Sequence, residues 1–167
     1  PVMGVVHGRG HGRGLALVLH PHPLGGGTMH NKVVFRAAAA LNDAGLVTLR
    51  INFRGVGQSE GSFDSGRGER EDLLAVIDYV SRTSPAARIA VVGFSFGAWV
   101  ALEVGAVDDR VSALIGIAPP VVTSVSGQNY TFENTLASPK PKFFVQGEED
   151  EVCPIEGMWS FYAKLDE

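Results

Sequence analysis

The chain has 167 residues, a net charge of −4 and 45% hydrophobic residues, which is enough for one domain with a buried core. Its charges do not gather into a basic patch that would bind nucleic acid, and no apolar run reaches the length of a membrane span. The single cysteine, Cys153, excludes an internal disulfide and is typical of a reducing compartment, so we expect a cytoplasmic location.

Strand-like apolar runs alternate with helical patterns along the chain. Residues 3–7 fit an edge strand, and further strands are predicted at 15–20, 47–53, 88–92, 112–117 and 142–146. Apolar residues with helical spacing predict helices at 31–44, 69–84 and 98–107. This alternation predicts a mostly parallel sheet with helices on both faces, which is a three-layer α/β sandwich. The stretch 119–141 is the least regular part and is too short for a cap domain.

The segment 93–97, with the sequence GFSFG, joins a predicted strand to a predicted helix. A serine between glycines at such a junction is typical of a nucleophile elbow, whose tight turn needs small residues two before and two after the serine. We therefore predict that Ser95 is a catalytic nucleophile at a helix N-terminus, where the helix dipole favours negative charge. A second GxSxG match contains Ser59, but a polar, glycine-rich stretch follows it, so we assign Ser59 to loop structure.

The glycine-rich segment 20–27, HPHPLGGG, follows the first main strand. Ligands bind at the carboxyl ends of the strands in open α/β sheets, so N–H groups of this turn are candidates for an oxyanion hole. The two prolines of the segment have no N–H, which leaves Leu24 as the preferred donor and Gly25 as the next. The second donor is expected to be the N–H of Phe96, the residue after the nucleophile.

The histidines of the chain do not predict a metal site. All five lie within the first 30 residues, without acidic or cysteine partners at ligand spacing, so we expect no metal and no other cofactor. We expect His20 and His22, at the end of a buried strand, to anchor the loop rather than to act as bases.

Four acidic residues follow the last predicted strand, in the sequence GEEDEVCP at 147–154. A carboxylate at this position would orient and stabilise a catalytic imidazole. We prefer Asp150, because it comes after the turn glycine and before the Val-x-Pro that begins the next helix. A solvated acidic turn is the alternative interpretation.

Together these segments resemble the α/β-hydrolase superfamily, and in particular its small bacterial branch without a cap domain, which is similar to dienelactone-hydrolase-like serine hydrolases. The resemblance is carried by 20–26, by NFRGVGQSEG at 52–61, by the elbow and by 147–154, and it covers nearly the whole chain. It implies one α/β-hydrolase domain over 1–167 with a serine, aspartate and histidine triad. It also implies that 52–61 is a structural loop, in which Arg54 braces the backbone.

The sequence differs from the family pattern at the histidine of the triad. The triad histidine should follow Asp150 by several tens of residues, yet every histidine lies at or before position 30. We therefore expect a C-terminally incomplete hydrolase fold that lacks its last strand, the catalytic histidine and the last helix. Pro1 looks internal to a longer chain, and 166–167 looks like the middle of a helix.

The expected activity is cleavage of small-molecule carboxylic esters through an acyl-enzyme at Ser95. A peptidase or a thioesterase would use the same residues, so these activities remain open. A catalytically silent scaffold used for binding is the alternative from another functional class, and the missing histidine favours it. The sequence contains no feature that indicates a nucleic-acid or membrane partner, or an oligomeric state.

Overall fold

The computed structural model describes residues 1–8, 14–123 and 129–165. Within these residues the strands are β1 (Gly4–His7), β2 (Leu15–Leu19), β3 (Val47–Ile51), β4 (Ile89–Phe94), β5 (Val111–Ile117) and β6 (Lys142–Val145). The helices are α1 (Lys32–Asp43), α2 (Arg67–Thr83), α3 (Phe96–Val107), α4 (Glu133–Ala137) and α5 (Ile155–Tyr162). Short 3-10 turns cover Pro23–Gly25 and Ala163–Leu165.

The strands form one sheet in the order β1-β3-β2-β4-β5-β6. Strand β1 pairs antiparallel with β3, and every other neighbouring pair is parallel. This arrangement confirms the mostly parallel sheet and its edge strand. It also places the ends of β2, β4, β5 and β6 side by side, so the loops that carry the predicted site residues lie along one edge of the sheet.

Helices cover both faces of the sheet, as the alternating sequence pattern predicts. On one face, Val34 and Ala38 of α1 pack with Ala16 and Val18 of β2. On the other face, α2 and α3 pack in the larger apolar cluster. Helix α3 is apolar on nearly every side and is buried along almost its whole length, which gives the turn at 93–97 a rigid base.

The observed boundaries differ from the predicted ones where side chains and turns form the ends of helices. Helix α3 begins at Phe96 instead of 98, because Ser95 is its N-cap residue. Helix α2 begins at Arg67 instead of 69, because the Glu69 carboxylate accepts the N–H of Gly66 and so lies inside the first turn. Helix α4 was not predicted and lies within the irregular stretch 119–141.

Strand β6 is an edge strand with an exposed apolar surface. Phe143 is 62% exposed and Val145 is 45% exposed, although both belong to a strand. A groove of about 580 Å³ lies beside Phe143, between β6 and the side chains of Met158 and Trp159 on α5. Among the described residues no strand pairs with the outer edge of β6. The predicted helical ending at 166–167 lies outside the described residues, as does His11.

Candidate active site

Ser95 occupies a sharp turn between β4 and α3. Its backbone has φ 55° and ψ −120°, a strained conformation for a residue with a side chain, and its N–H donates to the carbonyl of Ile117 at 2.9 Å. The glycines of the motif are required by close backbone contacts. A Cβ on Gly93 would overlap the carbonyl of Gly97, and a Cβ on Gly97 would overlap the carbonyl oxygen of His20. The local sequence therefore folds into the tight strand–turn–helix geometry that a nucleophile elbow requires.

The Ser95 side chain is half-buried, and its hydroxyl makes no hydrogen bond within the described residues. No side chain caps the first turn of α3. The N–H of Phe96 is at the first position of that helix, where an α-helix offers no backbone acceptor, so it is free to bind an oxyanion beside the serine.

His20 anchors the end of β2 and is fully buried. Its Nδ1 lies 2.7 Å from the carbonyl of Pro21, and its Nε2 accepts the N–H of Phe53 at 3.1 Å. Because a carbonyl only accepts, Nδ1 carries the proton and the ring is neutral. Burial lowers the pKa of His20 from 6.5 to about 4, although the bond to Pro21 opposes this change. Both ring nitrogens are occupied, so His20 has no lone pair to offer Ser95.

Leu24, the donor preferred from the sequence, has an occupied N–H in this structure. It is 75% exposed, and its N–H donates to Nδ1 of His22 at 3.2 Å. The N–H groups of Gly25 and Gly27 donate to the carbonyl of His22, and Gly26 donates to Pro23. Leu24 can therefore reach a substrate oxygen only by releasing a long, exposed hydrogen bond.

The N–H of His22 is the amide in this turn that makes no hydrogen bond within the described residues. This N–H is not evident from the sequence, because excluding the two prolines leaves Leu24 as the preferred donor. A proline-containing 3-10 turn with a histidine N-cap is the signal that points to it, since the cap side chain occupies the N–H of the following turn. Burial lowers the pKa of the His22 ring, which a Coulombic contact with Glu69 partly opposes.

Asp150 lies in the turn after β6 and is held there by hydrogen bonds. Its Oδ1 accepts the N–H groups of Val152 and Cys153 at 2.9 and 2.8 Å, and its Oδ2 lies 3.3 Å from Nε2 of Gln146. Because the Oδ2 contact is long, this oxygen can still accept a stronger bond from an imidazole N–H. The other three acids of the turn, at 148, 149 and 151, are exposed.

The strand order sets the separation between Asp150 and Ser95. Ser95 follows β4 and Asp150 follows β6, with β5 between them. Neighbouring strands lie about 4.8 Å apart, so the two strand ends are separated by about 10 Å. An imidazole placed over the end of β5 can therefore hydrogen-bond to both side chains.

Ser59 and Arg54 belong to the structural loop that the sequence predicts. The Ser59 hydroxyl is buried, donates to the carbonyl of Asn52 at 2.8 Å and accepts the N–H of Met3 at 2.9 Å. The Arg54 side chain binds Asp72 through Nε and Nη2 at 3.1 and 2.9 Å. Both side chains are therefore engaged in bracing the loop.

A cavity of about 210 Å³ opens beside the elbow. The side chains that line it are mostly aromatic, with two small polar residues: His22, Phe63, Ser65, Phe96, Trp99, Asn129 and Tyr130. Its described lining contains no carboxylate.

The described residues give little support for metal binding, for a cysteine nucleophile or for a membrane-spanning helix. Among the described residues, no group of three or more histidine, cysteine, aspartate or glutamate side chains is placed to hold a metal ion. Burial raises the pKa of the Cys153 thiol to about 11, which leaves it a poor nucleophile. In the described parts of the chain, every helix is too short or too polar to cross a lipid bilayer.

Comparisons with known proteins agree with this geometry. The sequence profile of the family "serine aminopeptidase, S33" matches residues 11–137. An α/β serine hydrolase homologue from Coxiella burnetii is 40% identical with a TM-score of 0.88, over 99% of this chain and 77% of that one. An α/β serine hydrolase without a lid from Xanthomonas campestris is 35% identical with a TM-score of 0.84, over 99% of this chain and 74% of that one.

The chain spans less than two thirds of the length of the curated relative that it matches. An uncharacterized protein of Rickettsia prowazekii is 44% identical over 152 residues, which is 90% of this chain. The match spans 63% of the length of that relative.

Proposed function

The chain belongs to the serine aminopeptidase S33 family within the α/β-hydrolase superfamily, and from this membership we propose that it cleaves carboxylic esters of small molecules. The observation that carries the proposal is the strained turn at Ser95, which presents a hydroxyl without a hydrogen-bond partner among the described residues next to the uncapped first turn of α3.

In the proposed reaction the Ser95 oxygen attacks the acyl carbon of the ester and its proton passes to a general base. The carbonyl oxygen becomes an oxyanion, which the N–H of Phe96 stabilises together with an N–H of the turn after β2. Leu24 serves as that second donor after it releases His22, and the N–H of His22 is the alternative. The base then protonates the leaving alcohol, and water hydrolyses the acyl-enzyme. Asp150 orients the base throughout.

The base itself is proposed to be a histidine outside the described residues. His20 is neutral with both ring nitrogens bonded, and Nδ1 of His22 accepts the N–H of Leu24. The exposed surface of β6, with Phe143 and Val145, lies on the Asp150 side of the sheet. We propose that a further strand covers this edge and brings the histidine between Asp150 and Ser95.

The family description also raises aminopeptidase activity, but the pocket favours an ester. An aminopeptidase must bind the positively charged amino terminus of its substrate, which calls for a nearby carboxylate. Glu69 is the acid that interacts with His22, yet it is fully buried and its two oxygens accept the N–H groups of Asp64 and Gly66. The described lining of the cavity therefore has no free negative charge for an ammonium group.

The test compares p-nitrophenyl acetate with alanine p-nitroanilide, using the protein expressed from its complete gene. Hydrolysis of the ester that disappears in Ser95→Ala supports the proposal. Preferential hydrolysis of the anilide would indicate a peptidase. If neither substrate is cleaved and Ser95 takes up no fluorophosphonate label, the fold is a silent scaffold.

A further inference from the structure

The cavity beside the elbow has walls made of aromatic rings in mutual contact. The rings of Phe63 and Phe96 have centroids 5.8 Å apart, those of Phe96 and Trp99 are 5.7 Å apart, and those of Trp99 and Tyr130 are 4.9 Å apart. The His22 ring lies 4.8 Å from Phe63. Edge-to-face and tilted arrangements of this kind are favourable for aromatic groups, so a further ring can join them at the same spacing.

Two of the wall side chains, Trp99 and Phe96, are held in place by the fold itself. The indole N–H of Trp99 donates to the carbonyl of Thr131 at 2.9 Å, and the backbone of Gly66 lies so close that a Cβ there would overlap the indole ring. Phe96 is buried and begins helix α3. A binding site whose side chains are already held in place loses little conformational entropy when a ligand enters.

The size of the cavity limits its occupant. It measures about 210 Å³, and an apolar cavity of about 150 Å³ is sufficient to hold benzene. One aromatic ring with a short linker fits this space.

The strand order assigns the cavity to the acyl side of the ester. Asp150 follows β6, so the base that protonates the leaving alcohol works on the β5 and β6 side of Ser95. His22, Phe63 and Ser65 follow β2 and β3, on the opposite side, whereas Asn129 and Tyr130, from the segment after β5, close the remaining wall. Residues from the two proposed oxyanion segments, Phe96 and His22, also place their rings in the cavity wall. A carbonyl oxygen held by the N–H of Phe96 and an N–H of the turn after β2 lies beside this cavity, so its acyl substituent can enter it.

We propose that this cavity is an acyl-binding pocket for aromatic acyl groups joined to the ester carbonyl by a short linker, as in hydrocinnamate (phenylpropanoate) esters. The inference rests on the proposed function, because it takes Ser95 as the nucleophile. It goes beyond that function by naming the substrate class.

The kinetic test uses the protein from its complete gene and two p-nitrophenyl esters of equal carbon number, the hydrocinnamate and the straight-chain nonanoate. We expect kcat/KM to favour the hydrocinnamate. Phe63→Leu should reduce kcat/KM for the hydrocinnamate by about 3- to 10-fold more than kcat/KM for the nonanoate, since one ring contact is lost. The matched control is Tyr79→Leu, which removes an exposed ring from α2, outside the cavity. It should change neither ester.

A second comparison tests the orientation, with ethyl hydrocinnamate against phenylpropyl acetate. Preference for the ethyl ester supports an acyl pocket, and preference for the acetate overturns it. A better rate with nonanoate, or a preference that Phe63→Leu leaves intact, overturns the aromatic assignment.

Binding separates this inference from the activity. In the Ser95→Ala variant, hydrocinnamate itself should show saturation-transfer NMR signals from its ring, and these should weaken when Phe63→Leu is added. If no ester is hydrolysed but this binding is seen, the proposed function fails and the pocket assignment stands. If hydrocinnamate does not bind, the pocket assignment fails, whatever the activity.

Discussion

Gly97 packs against the carbonyl oxygen of His20 with no room for a Cβ between them. The contact joins the first turn of α3 to the end of β2, so the segment that carries Ser95 and the turn that we propose as the source of the second oxyanion donor are held against each other. His20 is in turn fixed by its bonds to Pro21 and Phe53. The geometry of the site therefore depends on a backbone contact that no side chain supplies.

Because of this contact, we expect Gly97→Ala to lower the unfolding free energy strongly. The added methyl group would overlap backbone atoms of β2, which cannot move as a flexible side chain can, so we expect a loss of about 3 kcal/mol or more in unfolding free energy. Urea unfolding measures it. The matched control is Gly25→Ala in the turn after β2, where the nearest atom to an added Cβ is 3.8 Å away. Equal effects of the two substitutions would contradict the role of the Gly97 contact.

A fluorophosphonate probe should label Ser95 and not Ser59. The Ser59 hydroxyl is buried and bonded to Asn52 and Met3, whereas the Ser95 hydroxyl has no partner among the described residues. Peptide mapping by mass spectrometry locates the label in the protein from its complete gene. We expect Ser95→Ala to abolish labelling, and Ser59→Ala to keep it while lowering the unfolding free energy by about 1–2 kcal/mol. A label on the Ser59 peptide would overturn the assignment.

The sequence predicted the elements that depend on hydrophobic periodicity and on turn chemistry. The strands and the three long helices lie within a few residues of their predicted ranges, because each has a continuous apolar run or an apolar stripe to bury. The elbow at 93–97 could be recognised because only glycine fits its close contacts. Helix α4 could not, since it has only five residues and no apolar repeat.

In the turn after β2, the sequence alone does not show which N–H group is available to bind an oxyanion. Residue types exclude the prolines as donors, but they do not reveal which remaining N–H is already bonded within the turn. His22 accepts the N–H of Leu24 with its side chain and those of two glycines with its carbonyl, a competition that depends on local geometry. The choice between Leu24 and His22 therefore needs the structure.

Asp150→Asn should reduce turnover by about 10³–10⁴-fold, because an amide in place of the carboxylate favours the wrong tautomer of the catalytic imidazole. The variant should fold, since an amide oxygen can still accept the N–H groups of Val152 and Cys153. The matched control is Glu149→Gln, an exposed position in the same turn. Steady-state kinetics with p-nitrophenyl acetate measures both variants. Full activity of Asp150→Asn, with a loss in Glu149→Gln, would assign the triad acid to Glu149.

We expect the folded protein to lose stability in weak acid because His20 is buried in its neutral form. Its pKa is about 4 in the folded protein and 6.5 in the unfolded chain. Between these values the unfolded chain binds more protons, so the unfolding free energy falls as pH decreases from 6.5 to 4, and this contribution levels off below pH 4. The loss is about 3 kcal/mol. Urea unfolding across this range measures the total change, and NMR titration of the His20 ring isolates its pKa. A His20 midpoint near 6.5 would contradict its buried, neutral state.

The last prediction concerns the general base. We expect the 167-residue chain to be a weak esterase, and the protein from its complete gene to hydrolyse p-nitrophenyl acetate about 10²–10⁴-fold faster. A serine hydroxyl is a poor nucleophile at neutral pH without an adjacent base, and the ring nitrogens of His20 are both occupied. Ser95→Ala in each protein measures the background rate. His22→Ala should not abolish activity of the protein from its complete gene, since Nδ1 of His22 accepts the N–H of Leu24 and is not free to act as the base. If the 167-residue chain is folded and equally active, and either His20→Ala or His22→Ala abolishes that activity in a folded variant, the base lies within this chain.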